Sequence, residues 1–478
     1  MTQEHESLIS AFKARGQEHV FQYLNEISEE EKNLLFEQLS GIDLDEVDYL
    51  VERYVKQEGE SDLDFNKMEP SEYVPHFDKD ESVKAQWKEA KKIGEQALRE
   101  GKVAAFTVAG GQGTRLGYNG PKGTYPVTPV RQASLFEVFA KKIRYSAKHY
   151  GAPIHWFVMT SVVNHEQTVS FFEENSFFGL EPEHVHFFSQ GLMPAVDFEG
   201  KLILESKNKV VMTPDGHGGS LRALNRSGSI AKMRELGVEA ISYFQVDNPL
   251  VKFIDPYFIG FHLLGKSEMS SKMLAKAYAL EKVGHFCDYE GKQMVVEYSD
   301  LPNEYQEQRD DKGELRFIAG SIAIHIFSVD FVASVGGDDT TLSLPFHKAV
   351  KKIPQLNEAG ELEKPAEPNG VKFEMFVFDA LPFAENPVLI ETLREDDFSP
   401  VKNAEGVDSP ESCKDHQLQM FAKWLNAAGV KVEKDGEGVP SFDFEIDPTF
   451  ATDVDSFLEE WNQLTEKPVI VSGTVLEG

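Results

Sequence analysis

Cysteine is nearly absent: Cys287 and Cys413 are the only two in 478 residues. Two thiols build no disulfide framework, which excludes a small disulfide-held scaffold and points to a reducing compartment. Positive charge is also scarce. Against 80 Asp and Glu stand 48 Lys and Arg, for a net charge of −32. A surface that negative opposes nonspecific contact with nucleic acid or anionic lipid, so neither is expected as a partner. Long apolar runs are missing too. The most apolar stretch, 253–264, is interrupted by Asp255, Pro256, Gly260 and His262, and no membrane span fits it. The opening MTQEHESLIS has no basic segment leading into an apolar run, so no signal peptide is expected and a cytoplasmic location follows. What remains, 41% hydrophobic and 27% charged residues, suits a folded chain and excludes a long disordered one.

The first hundred residues read as helical. Leu8, Ile9 and Phe12 recur at helical spacing, and Ser28 with Glu31 is a capping-box pattern ahead of Leu34, Leu35 and Leu39. A helical cap on a larger domain is the first reading, a docking or oligomerisation module the second. Residues 70–80 read as a linker and 82–100 as one more helix. Short apolar runs then alternate with amphipathic stretches: strands at 103–109, 154–159, 185–188 and 241–246, with helices after Ser134 and over 222–236. Strand and helix in alternation imply a mostly parallel sheet covered on both faces, with ligands at the carboxyl ends of the strands. After Ser270, strands at 294–298, 317–327, 372–378 and 388–392 look like an antiparallel extension. A last helix is expected over 417–428 and a Val-rich strand over 468–475. The expected fold class is α/β with a mixed central sheet. Three stretches are expected: a helical N-terminal domain (1–100), a central α/β domain (101–400) and a small C-terminal α+β domain (401–478).

The segment VAAFTVAGGQGTRLGYNGPKGTYPV carries the most chemistry. A buried strand ends in Gly110, Gly111 and Gly113, followed by Thr114, Arg115, Gly117 and Lys122. Glycines let backbone amides approach a ligand closely, and two cations in the same loop suit a polyphosphate. The dinucleotide fingerprint G-x-G-x-x-G is not met, because the loop reads Gly111-x-Gly113-x-x-x-Gly117. This loop carries no Gly-Lys-Ser/Thr either, and the one G-x-x-x-x-G-K-S string, at 260–267, lies outside it, so a P-loop is disfavoured here.

G-G-x-G-T-R-L-G followed by P-K-G resembles the signature loop of the eukaryotic-type UDP-sugar pyrophosphorylases, nearest to the branch that handles N-acetylglucosamine. The resemblance runs from about 103 to 403. It implies a Rossmann-like, GT-A-like nucleotidyltransferase that makes a UDP-sugar and pyrophosphate from UTP and a sugar 1-phosphate. By position it places Gly110, Gly111, Gly113 and Thr114 at the nucleotide, and Arg115 and Lys122 at the phosphates. FFSQGLMPAV aligns Gln190 with a glutamine that pairs with uracil. TPDGHGGSLRAL puts Gly216 at the base and His217 near the sugar. YFQVDNPLV assigns Asp247 to Mg²⁺ or Mn²⁺, and a carboxylate after a strand suits that hard cation. VVEYSDLP brings Glu297 and Tyr298 to the sugar, IAGSIAIHIFS brings Ser321, FEMFVFDALPFA lines the sugar pocket with Phe376 and Phe378, and LREDDFSPVKNAEG brings Lys402 to the phosphates.

Three positions depart from the N-acetylglucosamine pattern: His217, Ser321 and Ile324 stand where asparagines are expected, and the first two bear on the sugar. Glucose, galactose or broad hexose 1-phosphate use therefore stays open beside N-acetylglucosamine 1-phosphate. A non-catalytic nucleotide-sugar binding protein is the rival of a different class. Homo-oligomerisation stays open. No general base is needed in the implied reaction, because a phosphate nucleophile is already anionic near pH 7.

Overall fold

Four apolar runs become neighbouring parallel strands in the computed structural model, which describes residues 2–57, 63–337, 344–357 and 359–478. Val103–Val108 lies between Ala240–Gln245 and Trp156–Thr160, and Val185–Ser189 follows beyond the last. Val108 pairs with both Gln245 and Met159, and Thr160 with Ser189, so these strands end in step. The loops that begin at Ala109, Ser161 and Val246 therefore leave one common edge.

The other half of the sheet is mixed. Ala319–Ser328 pairs antiparallel with Ala240–Gln245, Met269–Ala275 and Gly284–Tyr289. Gly284–Tyr289 turns back into Lys292–Val296 through Glu290 and Gly291, both at positive φ, as a two-residue hairpin turn requires. Val388–Glu391 joins Met269–Ala275 in parallel, so the extension is not wholly antiparallel as expected. The α/β class with a mixed central sheet is what the chain adopts.

The chain divides into two compact units. One comprises Met1–Asp64, Gln190–Ser220 and Ser343–Asp379, the other Phe65–Ser189, Leu221–Leu342 and Ala380–Gly478. In the second unit, Val103, Ala105, Trp156, Val158, Ala240 and Phe244 point into one core with Phe136, Phe139, Phe172 and Phe258 from the covering helices. The opposite face is buried as fully, through Ala104, Phe106, Phe157, Ile241 and Tyr243. Helices Lys84–Arg99 and Pro256–Leu264 cross almost backbone to backbone. A Cβ on Gly260 would sit 1.7 Å from the Ala90 carbonyl oxygen, and one on Gly94 would sit 1.9 Å from that of Pro256. Residues beyond 410 add a smaller core of their own, built from Leu418, Phe421, Trp424, Phe444, Phe457 and Trp461.

In the first unit, helices Gln3–Ala14, Glu29–Ser40 and Leu44–Leu50 accompany a three-stranded sheet of Phe346–Lys351, Gly370–Met375 and Val196–Asp197. The Ser28–Glu31 capping box forms as expected. Gln17 donates to the Gly200 carbonyl at 2.8 Å and accepts from the Leu202 amide at 2.9 Å, while Gln38 brackets Val210 in the same way.

Four expected elements differ. The helix expected last, over 417–428, runs over Pro410–Ala427 and is followed by another at Val454–Gln463. The helix over 222–236 is two, Gly219–Arg226 and Ser229–Glu235, because Gly228 adopts φ 78° between them. The strand over 372–378 ends at Met375, belongs to the three-stranded sheet, and passes into a 3₁₀ turn over Val377–Phe383. The terminal strand over 468–475 shrinks to Val475–Leu476. Pro468 offers no amide, Gly473 turns the chain at φ 82°, and Val469 stays 79% exposed.

Candidate active site

The glycine loop leaves the central strand Val103–Val108 at the common edge. The Ala109 amide donates to the Met159 carbonyl at 2.7 Å, and the loop then folds back on itself. The Gly113 amide donates to Gly120 and the Lys122 amide to Gly111, at 2.9 and 3.0 Å. Gly117 sits at φ 68°, a left-handed position that favours glycine. Buried Asn164 fixes the start of the loop: its side-chain nitrogen donates to the carbonyls of Ala109 and Gly111, and its Oδ1 accepts from Ser161. The amides of Gly110, Gly111 and Gln112 have no hydrogen-bond partner among the described residues. They are three donors left for an anion. Thr114 and Arg115 are exposed, and Arg115 has no ion pair among the described residues.

Lys122 and Asp247 meet beneath this loop. The Lys122 ammonium donates to Asp247 Oδ2 at 3.1 Å, with side chains only 16% and 13% exposed. Asp247 follows the strand Ala240–Gln245, and its carbonyl accepts from the Val401 amide at 2.8 Å. Asn248 donates to the Asp397 carbonyl and accepts from the Ser399 amide. The segment leading to Lys402 is thereby pinned to the loop holding Asp247. The Lys402 amide donates to the Asp408 carbonyl at 2.7 Å, and its ammonium lies 4.0 Å from the Asp408 carboxylate and 5.5 Å from the Phe398 ring centre. Burial raises the Asp408 carboxyl above its usual range; Lys402 opposes this and the Asp247 charge adds to it. Asp408 therefore lies within reach of the Asp247 charge.

Beneath the Asp397 segment lies a buried charge network. The Lys272 ammonium, 1% exposed, bridges Asp255 at 2.7 Å and Asp397 at 2.6 Å. Thr392 donates to the same Asp397 oxygen, and the Lys252 amide donates to the other. Lys142 supports the neighbouring turn by donating to the carbonyls of Pro249 and Val251.

Glu297 and Ser321 come together across the mixed half of the sheet. Ser321 pairs with Gly284, and a Cβ on Gly284 would lie 3.6 Å from Ser321 Cβ and 3.8 Å from Glu297 Oε1. The space a side chain would take at Gly284 is filled by Val295, whose Cγ1 would stand 2.6 Å from that Cβ, so the glycine lets Val295, Ser321 and Glu297 gather over it. Tyr298, next to Glu297, is 40% exposed.

In the first unit, Gln190 lies against Gly216. Its amide nitrogen donates to the Gly216 carbonyl at 2.8 Å and to Asp215 Oδ1 at 3.1 Å. Gly216 takes φ 83°, and its missing side chain makes room for the Met375 backbone, 2.4 Å from where a Cβ would stand. His217 accepts from the Val377 amide at Nδ1 (3.2 Å) and stacks on Phe376 with ring centres 5.3 Å apart. Phe376 stacks in turn on His347, which bonds Asp379. Burial lowers the His217 pKa to about 4. The ring is thus neutral, carries its proton on Nε2, and offers a donor.

Sequence reasoning missed Asn164, Asp215, Asp397, Asp408 and His347. Asp215 had a signal, since it directly precedes Gly216 inside the P-D-G-H-G-G motif. Asp397 had one too, inside the LREDDFSPVKNAEG segment; Asn164 had none, because its partners are backbone groups.

Among the described residues no group of three or more His, Cys, Asp or Glu is placed to hold an ion. A single, largely buried carboxylate with no soft donor beside it fits a small hard cation that keeps water and substrate oxygens as its other ligands. No helix of the described residues is long and apolar enough to cross a membrane.

A family model described as UTP–glucose-1-phosphate uridylyltransferase matches residues 44–415. The chain is 35% identical over 474 residues to UDP-N-acetylhexosamine pyrophosphorylase-like protein 1 of Xenopus tropicalis, covering 93% of this chain and 92% of that protein. It is 34% identical over 441 residues to UDP-N-acetylglucosamine diphosphorylase 2 of Arabidopsis thaliana, covering 89% and 86%. The solved structure of the Trypanosoma brucei uridine diphosphate N-acetylglucosamine pyrophosphorylase, in complex with an inhibitor, matches with a TM-score of 0.82 at 26% identity, over 100% of this chain and 99% of that one.

Proposed function

The chain belongs to the UTP–glucose-1-phosphate uridylyltransferase family, and from that premise we propose that it is the enzyme that joins UTP to N-acetylglucosamine 1-phosphate, giving UDP-N-acetylglucosamine and pyrophosphate. The observation that carries this reading is the Lys122–Asp247 pair under a glycine loop with three uncommitted amides. It is a site for polyanions on a protein whose net charge is −32. The sugar is chosen on the names of the relatives.

In this reading the sugar phosphate oxygen attacks the α-phosphorus of UTP. A new P–O bond forms there, the bond to the bridging α–β oxygen breaks in line, and pyrophosphate takes the electron pair. The nucleophile arrives as an anion, so no side chain has to remove a proton. The protein's work is alignment and charge neutralisation. Arg115, Lys122 and Lys402 hold the phosphates, Gly110, Gly111, Gly113 and Thr114 lie at the nucleotide with the uncommitted amides of Gly110, Gly111 and Gln112 as its donors, Gln190 and Gly216 face the base, and His217, Glu297, Tyr298 and Ser321 face the sugar. Asp247 holds Mg²⁺ or Mn²⁺, which supplies charge compensation at the phosphates. The two cysteines are free and buried, which supports a reducing, cytoplasmic setting.

The test is pyrophosphate release with UTP, Mg²⁺ and a panel of sugar 1-phosphates. N-acetylglucosamine 1-phosphate is expected to turn over fastest. Faster turnover of glucose or galactose 1-phosphate would favour the second reading, which His217 and Ser321 support. UDP-sugar binding without release from any sugar would overturn the enzymatic reading.

Gly111→Ala tests the loop separately. A Cβ on Gly111 would meet nothing within 4 Å, so the fold tolerates it. The melting temperature is expected to stay within about 2 °C. UTP affinity is expected to fall about tenfold or more, as a methyl group intrudes where the nucleotide approaches. Unchanged UTP affinity would move the nucleotide away from this loop.

A further inference from the structure

Both hydrogens of the Gln190 amide nitrogen are already spent within the protein. One goes to Asp215 Oδ1 at 3.1 Å, the other to the Gly216 carbonyl at 2.8 Å. Only the carbonyl oxygen Oε1 is left to face a ligand. Asp215 cannot move away from this arrangement. It is 3% exposed, and Cβ atoms on Gly191 and Gly219 would stand 2.5 Å and 2.1 Å from its carboxylate. Its amide donates to Gly191 and its carbonyl accepts from Met375, at 3.3 and 2.8 Å. Turning the Gln190 amide over would set Oε1 against the Asp215 carboxylate and the Gly216 carbonyl, two acceptors with no hydrogen between them. An unmade, repulsive contact of that kind in a partly buried place is costly.

Uracil and cytosine differ at the atom an acceptor would test. Uracil carries a hydrogen on N3; cytosine carries a lone pair there. We propose that Asp215 is a specificity-determining positioning residue: it locks the Gln190 amide so that a lone acceptor faces N3, which admits uracil and rejects cytosine. This rests on the reading above that Gln190 faces the base. A site whose fixed polar group would be left opposed rejects an analogue by up to about 10⁴-fold, far more than a missing apolar contact does.

The test compares kcat/KM for UTP and CTP in the parent protein, Asp215→Asn and Gln190→Ala, with N-acetylglucosamine 1-phosphate as acceptor. Asp215→Asn keeps the shape but can donate to a turned Gln190, so the charged one of the two opposing acceptors is gone, only the Gly216 carbonyl still resists turning, and a turned amide that offers a hydrogen to N3 of cytosine becomes accessible. Its UTP-over-CTP ratio is expected to fall about 100-fold or more, with CTP turnover rising in absolute terms. A merely structural loss would lower both nucleotides together. Gln190→Ala is expected to reduce UTP use and flatten the ratio. A flat ratio in Gln190→Ala with a full ratio in Asp215→Asn would overturn the lock and leave the base-facing role of Gln190 standing. A full ratio in both would overturn that role as well. Should Asp215→Asn fail to fold, the parent protein decides with N3-methyl-UTP, which lacks the hydrogen. Use as poor as that of CTP is the expected result; use equal to that of UTP would overturn the proposal.

Discussion

Asp247→Asn is expected to lower pyrophosphate release about a thousand-fold, equivalent to about 4 kcal/mol of transition-state stabilisation, while the melting temperature stays within a few degrees. The two halves of this expectation come from different atoms. The main chain of Asp247 anchors Val401 through its carbonyl, and that bond does not depend on the side chain. An amide is as large as the carboxylate and can still accept from Lys122, so packing survives. What disappears is one negative charge at the end of the strand Ala240–Gln245, and with it the ability to hold a hard divalent cation against phosphate oxygens. Circular dichroism melts and a Mg²⁺ titration of the variant check both halves. Turnover at the parental level across that titration would remove Asp247 from the chemistry.

Lys272→Met carries the largest expected effect on stability, about 3–5 kcal/mol. The lysine is the shared partner of Asp255 and Asp397, and both carboxylates would be left buried without it. Burial by itself pushes the Asp255 carboxyl up, but Lys272 and Lys252 outweigh it and hold it below its ordinary value. A carboxyl whose folded value is depressed stabilises the protein above the unfolded carboxyl range, near pH 4, and that contribution is lost as pH falls through the folded value. The parent should therefore lose stability steeply in acid, and Lys272→Met should show a flatter acid limb from a lower starting point. Urea midpoints measured from pH 3 to 7 check this. An unfolding free energy at pH 7 unchanged within about 0.5 kcal/mol would show that the network contributes nothing net. Because Asp397 also receives Asn248 at its carbonyl, the variant should lose activity along with stability.

Much of this was legible in the sequence, for physical reasons. Buried parallel strands read as uninterrupted apolar runs, so 103–109 and 241–246 announced themselves and fixed where loops must leave the sheet. Glycines crowded with cations after such a run are costly to keep for any purpose but close approach. Glu297 and Ser321 were found by motif, yet their meeting over Gly284 depends on strand register, which short-range pattern does not encode. Asn164 and Lys272 act on groups far away in the chain, so no window of sequence contains both partners. The single helix expected over 222–236 failed because its apolar spacing continues past Gly228 while the backbone does not.

The interleaving of the two units has a practical consequence. The polypeptide passes from one to the other at five points, after Asp64, Ser189, Ser220, Leu342 and Asp379. Neither can be excised as one uncut length. Shortening the protein from its amino end by 64 residues would strip Gln17 and Gln38 from Gly200, Leu202 and Val210, orphaning main-chain groups near the segment that bears Gln190 and Gly216. On the proposed reading of Gln190 and Gly216, an amino-terminal deletion should thus be felt in pyrimidine recognition, though the excised piece contains no residue proposed for it.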